Sequence, residues 1–272
     1  MISNLTILGM VFTILVCFVL PLIVMMVLKI RMRAKILLFL AGISMQILFV
    51  ILLERLFISL MARTTPAFVE NDFLYPLVLS LASGIFESLE FALVVRILRD
   101  HMDGGSRVVM FGIGHGGANA ALSSGLTSMT YYSVAVIANA NGKDYLTQGL
   151  SGDELTFMQG MLDYLDSSPW TFYISGIEQF ALMMVYCCAA VIMWMAMTER
   201  LSRKWAGASA GMIFVFHLFM NFGNYEVLLN SLVSAALCLL IGIAAVVFTR
   251  MLYVKIEGDH PRQERMPVRR LR

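Results

Sequence analysis

Again and again the chain runs for about twenty residues with hardly a charge, and that pattern leaves few folds open. Such a stretch is what an α-helix needs to cross the ~30 Å hydrocarbon core of a bilayer, at ~1.5 Å rise per residue. No water reaches the backbone there, so each span must satisfy its own N–H and C=O groups as a helix. Seven runs can be drawn, at about 5–28, 36–60, 73–98, 108–138, 171–197, 206–224 and 227–253. Composition agrees: 59% of residues are hydrophobic and 14% charged, against about 25% charged in soluble domains. The expected fold is all-α, a polytopic membrane helical bundle with about seven transmembrane helices. Residues 1–254 form one multi-pass transmembrane domain and 255–272 a basic cytoplasmic tail. The first 30 residues lack a basic leader and a small-residue cleavage site, so they read as a retained span. The fourth run is too long for one straight crossing and is expected to tilt, break at its glycines or protrude.

Charge sets the expected orientation. Links after runs one, three, five and seven hold Lys29, Arg31, Arg33 and Lys35, then Arg96, Arg99 and Arg107, then Arg200, Arg203 and Lys204, then a tail rich in arginine. The opposite side keeps only Arg63 and Lys143, among several acids. Basic links face the cytoplasm, so the amino terminus is expected outside and the carboxyl terminus inside. The expected location is the bacterial plasma membrane. The surface loop 139–170 carries Leu155, Met158, Leu162 and Leu165 at helical spacing, a short amphipathic helix at the membrane surface, with Trp170 and Tyr173 anchoring the next span.

Ionisable side chains inside such runs are expensive and ask for a reason. Glu87 and Glu90 lie in the third run, His115 in the fourth, Glu178 in the fifth and His217 in the sixth. Glu87 stands roughly 15–20 Å from either end of its run. His217 lies at similar depth, and His115 about two turns in from the inner face, so the three are expected to converge on one cavity. Glu178 is shallower. Phe111 and His115, and His217 and Asn221, are i,i+4 pairs that share a helix face. A carboxylate beside an imidazole can activate water as a general base. A second imidazole with a carboxamide can stabilise an oxyanion. Alternatively, Glu87, His115 and His217 could hold a divalent metal such as zinc, leaving one position open for water.

Other features read more plainly. Gly112 and Gly116 form G-x-x-x-G, which means close helix packing or room for a substrate backbone. Cys17, Cys187, Cys188 and Cys238 fall in apolar runs as packing residues. Glu54 and Arg55 read as an interfacial pair, Glu226 as an interface residue, and His101 and His260 as link residues without a role. The composition implies the lipid bilayer as a partner and no nucleic acid. Two other classes use the same polar residues: a polar-cavity binding or transport protein, and bis-histidine haem ligation by His115 and His217.

On these residues the chain resembles the YhfC family of intramembrane metalloproteases. That family lies within the wider group that contains the CAAX prenyl proteases, bacteriocin-processing proteins and PrsW. The group's pattern is Glu-Glu followed by Arg, then F-x-x-x-H, then H-x-x-x-N or a near variant. Phe86-Glu87, Phe111 to His115, and His217 to Asn221 match it in order, and Glu178-Gln179 stands where the family tends to show Glu-Arg. The departures are Ser88 for the second Glu, Phe91 and Ala92 where Arg is expected, and Asn119 for an acid. Glu90, one turn beyond Glu87, is a candidate replacement for the missing carboxylate. The resemblance implies an endopeptidase that hydrolyses a peptide bond of a membrane-embedded or lipidated peptide. Glu87, His115, His217 and Asn221 would be catalytic, with Glu90, Asn119 and Glu178 supporting. A pseudoprotease that keeps the fold is the alternative implied by the departures.

Overall fold

The expected runs become helices in the computed structural model, which describes residues 1–166, 168–226 and 229–259, the last three as backbone only. Val227, where the last run was expected to start, lies outside the described residues, as do His260 and the rest of the tail. The long elements are α1 (Asn4–Met32), α2 (Ile36–Thr64), α4 (Leu74–Ile97), α5 (Gly105–Ala120), α6 (Leu126–Asn141), α9 (Trp170–Met197), α10 (Trp205–Asn224) and α11 (Ser231–Asp259). Short helices α3 (Pro66–Val69), α7 (Lys143–Thr147) and α8 (Gly152–Asp166) fill the links. Among the described residues there is no strand. Six helices among the described residues are long and apolar enough to cross a membrane: α1, α2, α4, α9, α10 and α11. The protein is thus a multi-pass helical membrane bundle. The expected fourth run falls in α5 and α6, which are continuous through a wide turn at Ala121–Gly125 but are not among those six. Their glycines, serines and asparagines dilute the apolar character.

Helix ends follow local chemistry. Arg33 takes a left-handed φ of 54° just past α1 and stops it. Asn71 Oδ1 accepts from the N–H groups of Phe73 and Leu74 at 3.1 and 2.8 Å, satisfying donors that the start of α4 leaves free. Within α1, the turn Leu15–Val19 widens to i→i+5 bonding just before Pro21, whose ring cannot fit against an ordinary preceding turn.

Helix α9 is the axle of the bundle. Of its most apolar 18-residue stretch 78% is buried, against 17% for α1. From Ala181 to Ala196 it is apolar nearly all round, as a fully enclosed helix must be. Around it pack α1, α4, α5, α10 and α11. Helix α5 is drawn close on three sides by its glycines. A Cβ on Gly112 would lie 2.7 Å from Cys187 Cα of α9, and one on Gly116 3.0 Å from Met183 Cγ. One on Gly117 would lie 2.7 Å from Pro21 of α1, and one on Gly114 would overlap the Phe39 carbonyl of α2. Gly42 of α2 returns the contact, against the backbone of Phe111 and His115. Of the two readings of Gly112 and Gly116, the structure therefore shows close packing.

The loop helix forms at Gly152–Asp166, as its spacing indicated. It docks Met161, Leu162 and Leu165 into a second small core with Val134, Ala135 and Phe172. Lys143 pairs with Asp166 across this cap. All four cysteines are free.

Candidate active site

Along α4, Ser80, Ser83, Glu87, Glu90, Phe91 and Val94 recur at three- and four-residue steps and form one buried face. That face looks toward α5, α9 and α10. Glu90 Oε1 lies 2.7 Å from His115 Nδ1 of α5, and both side chains are fully buried. Three residues earlier on α4, Glu87 Oε1 accepts a hydrogen bond from the Tyr186 hydroxyl of α9 at 2.8 Å. Tyr186 Oη is also 3.2 Å from His217 Nε2 of α10, and that nitrogen is 3.5 Å from Glu87 Oε1. Because the tyrosine has one hydrogen and gives it to the carboxylate, His217 Nε2 must be the donor to Tyr186 Oη. The neutral imidazole then keeps Nδ1 as its acceptor. In the other pair an ionised Glu90 can only accept, so Nδ1 of His115 carries the hydrogen, and the imidazole in its neutral form has its lone pair on Nε2.

Tyr186 joins the two pairs into one cluster. Its ring stands edge-on to His115 with centroids 4.4 Å apart, and 6.3 Å from the ring of His217. Phe91 is the apolar wall: its ring meets His115 at 5.0 Å, Phe111 at 5.3 Å and Tyr186 at 6.2 Å. Pairing offsets much of the several kcal/mol that each buried ion would cost alone. It does not use every polar atom. Glu87 Oε2, Glu90 Oε2 and His115 Nε2 are buried without a hydrogen-bond partner.

The remaining expected residues are distributed around this centre. Asn221 is not hydrogen-bonded to His217. Its amide donates to Ser80 Oγ at 3.0 Å, farther along the seam between α4 and α10. Asn119, one turn beyond His115, accepts from Gln46 of α2 at 2.9 Å and donates to Gln179 of α9 at 3.4 Å. Glu178 stays apart: it is buried beside Cys238 of α11, and its Oε1 has no hydrogen-bond partner. The Ser88 hydroxyl turns back to Gly84 O.

Glu54 corrects the sequence reading. It is 7% exposed, and its Oε1 accepts from Ser83 Oγ at 2.7 Å, while Arg55 faces outward. The wide turn Ile47–Glu54 shifts the helix phase there and brings this carboxylate onto the inner side of α2. Sequence reasoning also missed Tyr186, Gln46 and Ser80. Tyr186 had a signal: a hydroxyl halfway along an apolar run must find a partner when buried. Which partner it finds is a tertiary matter.

The donor chemistry of Glu87, His115 and His217 suits zinc, but their arrangement does not. Each imidazole is turned to a carboxylate or to Tyr186, and among the described residues no three His, Cys, Asp or Glu side chains are grouped as metal ligands. What the cluster offers directly is acid–base chemistry: unpartnered carboxylate oxygens and an imidazole nitrogen in a dry interior.

A family model described as YhfC intramembrane metalloprotease matches residues 16–249. That covers most of the chain, and the chain belongs to this family. No curated protein and no solved structure matches it.

Proposed function

We propose that this member of the YhfC family is an intramembrane endopeptidase, and that Glu87 is its general base. The observation that carries the reading is the buried Glu87–Tyr186–His217 triangle with Glu87 Oε2 left free. A carboxylate fixed through one oxygen keeps the other for water.

In this reading, Glu87 Oε2 takes a proton from water as the water oxygen attacks the carbonyl carbon of the scissile peptide bond. The charge that develops on the carbonyl oxygen is stabilised by the second amide hydrogen of Asn221, which Ser80 does not use, and by the Nε2–H of His217 once it leaves Tyr186 for the stronger acceptor. The tetrahedral species collapses with cleavage of the C–N bond, and the proton held by Glu87 passes to the leaving amine. A carboxylic acid and an amine result. His115, oriented by Glu90, keeps its Nε2 lone pair toward the same interior and holds the polarity of the site. The family's description implies a metal; no step here runs through one, because the side chains are not grouped to hold it. The substrate class is a membrane-embedded or lipidated peptide, since the cluster lies within the bundle and is closed to bulk water.

The reading includes a seventh crossing by α5 and α6, with the amino terminus outside. The basic residues that end α1, follow α4 and follow α9 support that orientation.

The test is cleavage of a membrane-embedded peptide by the purified protein, set against Glu87→Ala and His217→Ala. The variants are expected to lose cleavage while keeping the helical fold. Equal cleavage by all three proteins would remove both residues from the reaction.

A further inference from the structure

At the end of the bundle that carries Lys29, Arg31 and Arg33, a cleft of about 560 Å³ opens between α1, α5, α9 and α11. It lies apart from the Glu87 cluster and shares none of its residues. Its apolar lining is Leu28, Val109 and Val191, with the exposed Val246 at its edge. Its more exposed, polar rim is formed by Gly104, Ser106, Arg250 and Tyr253, and the buried Thr249 lies beneath them. The volume is in the range of sites that enclose a small organic molecule.

The rim gathers donors. Helix α5 starts here, and a helix start presents N–H groups and a partial positive charge to the space before it. Arg107 and Val108 turn their N–H groups back to Gly104 O. Gly105 N–H reaches Tyr253 Oη at 3.4 Å, so that the phenol keeps its own hydrogen to donate. Arg107 is paired with Asp103 at 2.7 Å, which leaves the exposed Arg250 as the cation of the rim.

Thr249 is the independent sign. Hydroxyls in these helices routinely turn back to the carbonyl four residues earlier: Ser123, Thr127, Thr130 and Thr198 all do so, at 2.6–3.0 Å. Thr249 does not. It is 6% exposed and interacts with the Cys188 thiol, a weak partner, while its Oγ1 has no hydrogen bond of ordinary geometry. A buried hydroxyl left so costs about 1–3 kcal/mol unless something in the cleft meets it.

We propose that this cleft binds the phosphate of an anionic phospholipid. Arg250, Tyr253 and Thr249 take the phosphate oxygens, with the partial positive charge at the start of α5 behind them. One acyl chain lies along Val109, Val191 and Val246. A charged head above an apolar floor matches an amphiphile better than a free anion, which would leave the floor empty.

Native mass spectrometry of the full chain, released from detergent, tests this with dioleoylphosphatidylglycerol, with dioleoylglycerol, which has the same chains and no phosphate, and with inorganic phosphate. The wild-type protein is expected to retain one phosphatidylglycerol under conditions that strip dioleoylglycerol. Arg250→Gln and Thr249→Val should each lower that retention, the arginine variant by about tenfold, as expected for loss of a charge-assisted hydrogen bond. Val109→Trp, which fills the floor, should lower it without touching the rim. Equal retention of the two lipids, or full retention of phosphatidylglycerol by Arg250→Gln, would overturn the proposal. Displacement of the lipid by inorganic phosphate would overturn the lipid as occupant.

Discussion

Tyr186 donates its hydroxyl hydrogen to Glu87 Oε1 at 2.8 Å, across 99 residues of chain, and by doing so leaves the second oxygen of that carboxylate unpartnered. The same oxygen of Tyr186 faces His217 Nε2 at 3.2 Å. One phenol thus sets the orientation of both candidate catalytic groups.

Tyr186→Phe separates that role from packing. The ring stays, with its edge-on contact to His115, and only the hydroxyl goes. Stability to thermal unfolding is expected to fall by about 1–3 kcal/mol, because a buried acceptor loses its partner. Peptide cleavage should fall by about 10²-fold, with near-normal substrate binding. Unchanged cleavage would show that Glu87 needs no such anchor.

Glu87→Gln keeps the shape of the side chain and its contact with Tyr186 but removes the base. Cleavage is expected to drop by about 10²–10⁴-fold. With the wild-type protein, a chelator should leave cleavage intact if these side chains act on water by themselves. Loss of activity on chelation, restored by zinc, would mean that Glu87, His115 and His217 regroup around a metal.

The glycines separate into two kinds, and alanine distinguishes them. Gly114→Ala drives a methyl group into the Phe39 carbonyl and is expected to destabilise the protein by about 1–3 kcal/mol, loosening the seat of His115. Gly211 of α10 has open space at its Cβ position. Gly211→Ala should stabilise by about 0.5–1 kcal/mol through helix propensity. Thermal melts of the two variants in detergent measure both.

The proposed seventh crossing has a direct test. Single cysteines at Asp100 and Asn141, on a chain without its native cysteines, flank α5 and α6 and are exposed. A membrane-impermeant thiol reagent applied from one side should label only one of them. Labelling of both from the same side would reduce α5 and α6 to a re-entrant or surface element.

Much of the fold could be read directly along the chain. The helical membrane bundle follows from the length and spacing of the apolar runs. The cap helix Gly152–Asp166 was visible in the spacing of Leu155, Met158, Leu162 and Leu165. These are local properties: a helix satisfies its own backbone, and its apolar face is recorded every three to four residues. Glu54 shows the limit. Beside Arg55 it looks like half of an interfacial pair, and only the wide turn in α2 brings it to Ser83. Asn221 shares a helix face with His217 as its spacing required, yet its amide is engaged by Ser80.

By itself, then, the sequence determined that this chain is a bundle of membrane helices and that Glu87, Glu90, His115 and His217 must be explained at depth. Only the tertiary structure decided who meets whom: Glu90 with His115, Glu87 with Tyr186 and His217, and Glu178 with none of them. The reason is physical. Burial of an apolar face is summed over one helix and survives small rotations. A hydrogen bond between helices depends on their separation and rotation to within a fraction of an ångström, and here those are set by glycines of α5 and α2 pressed against backbone.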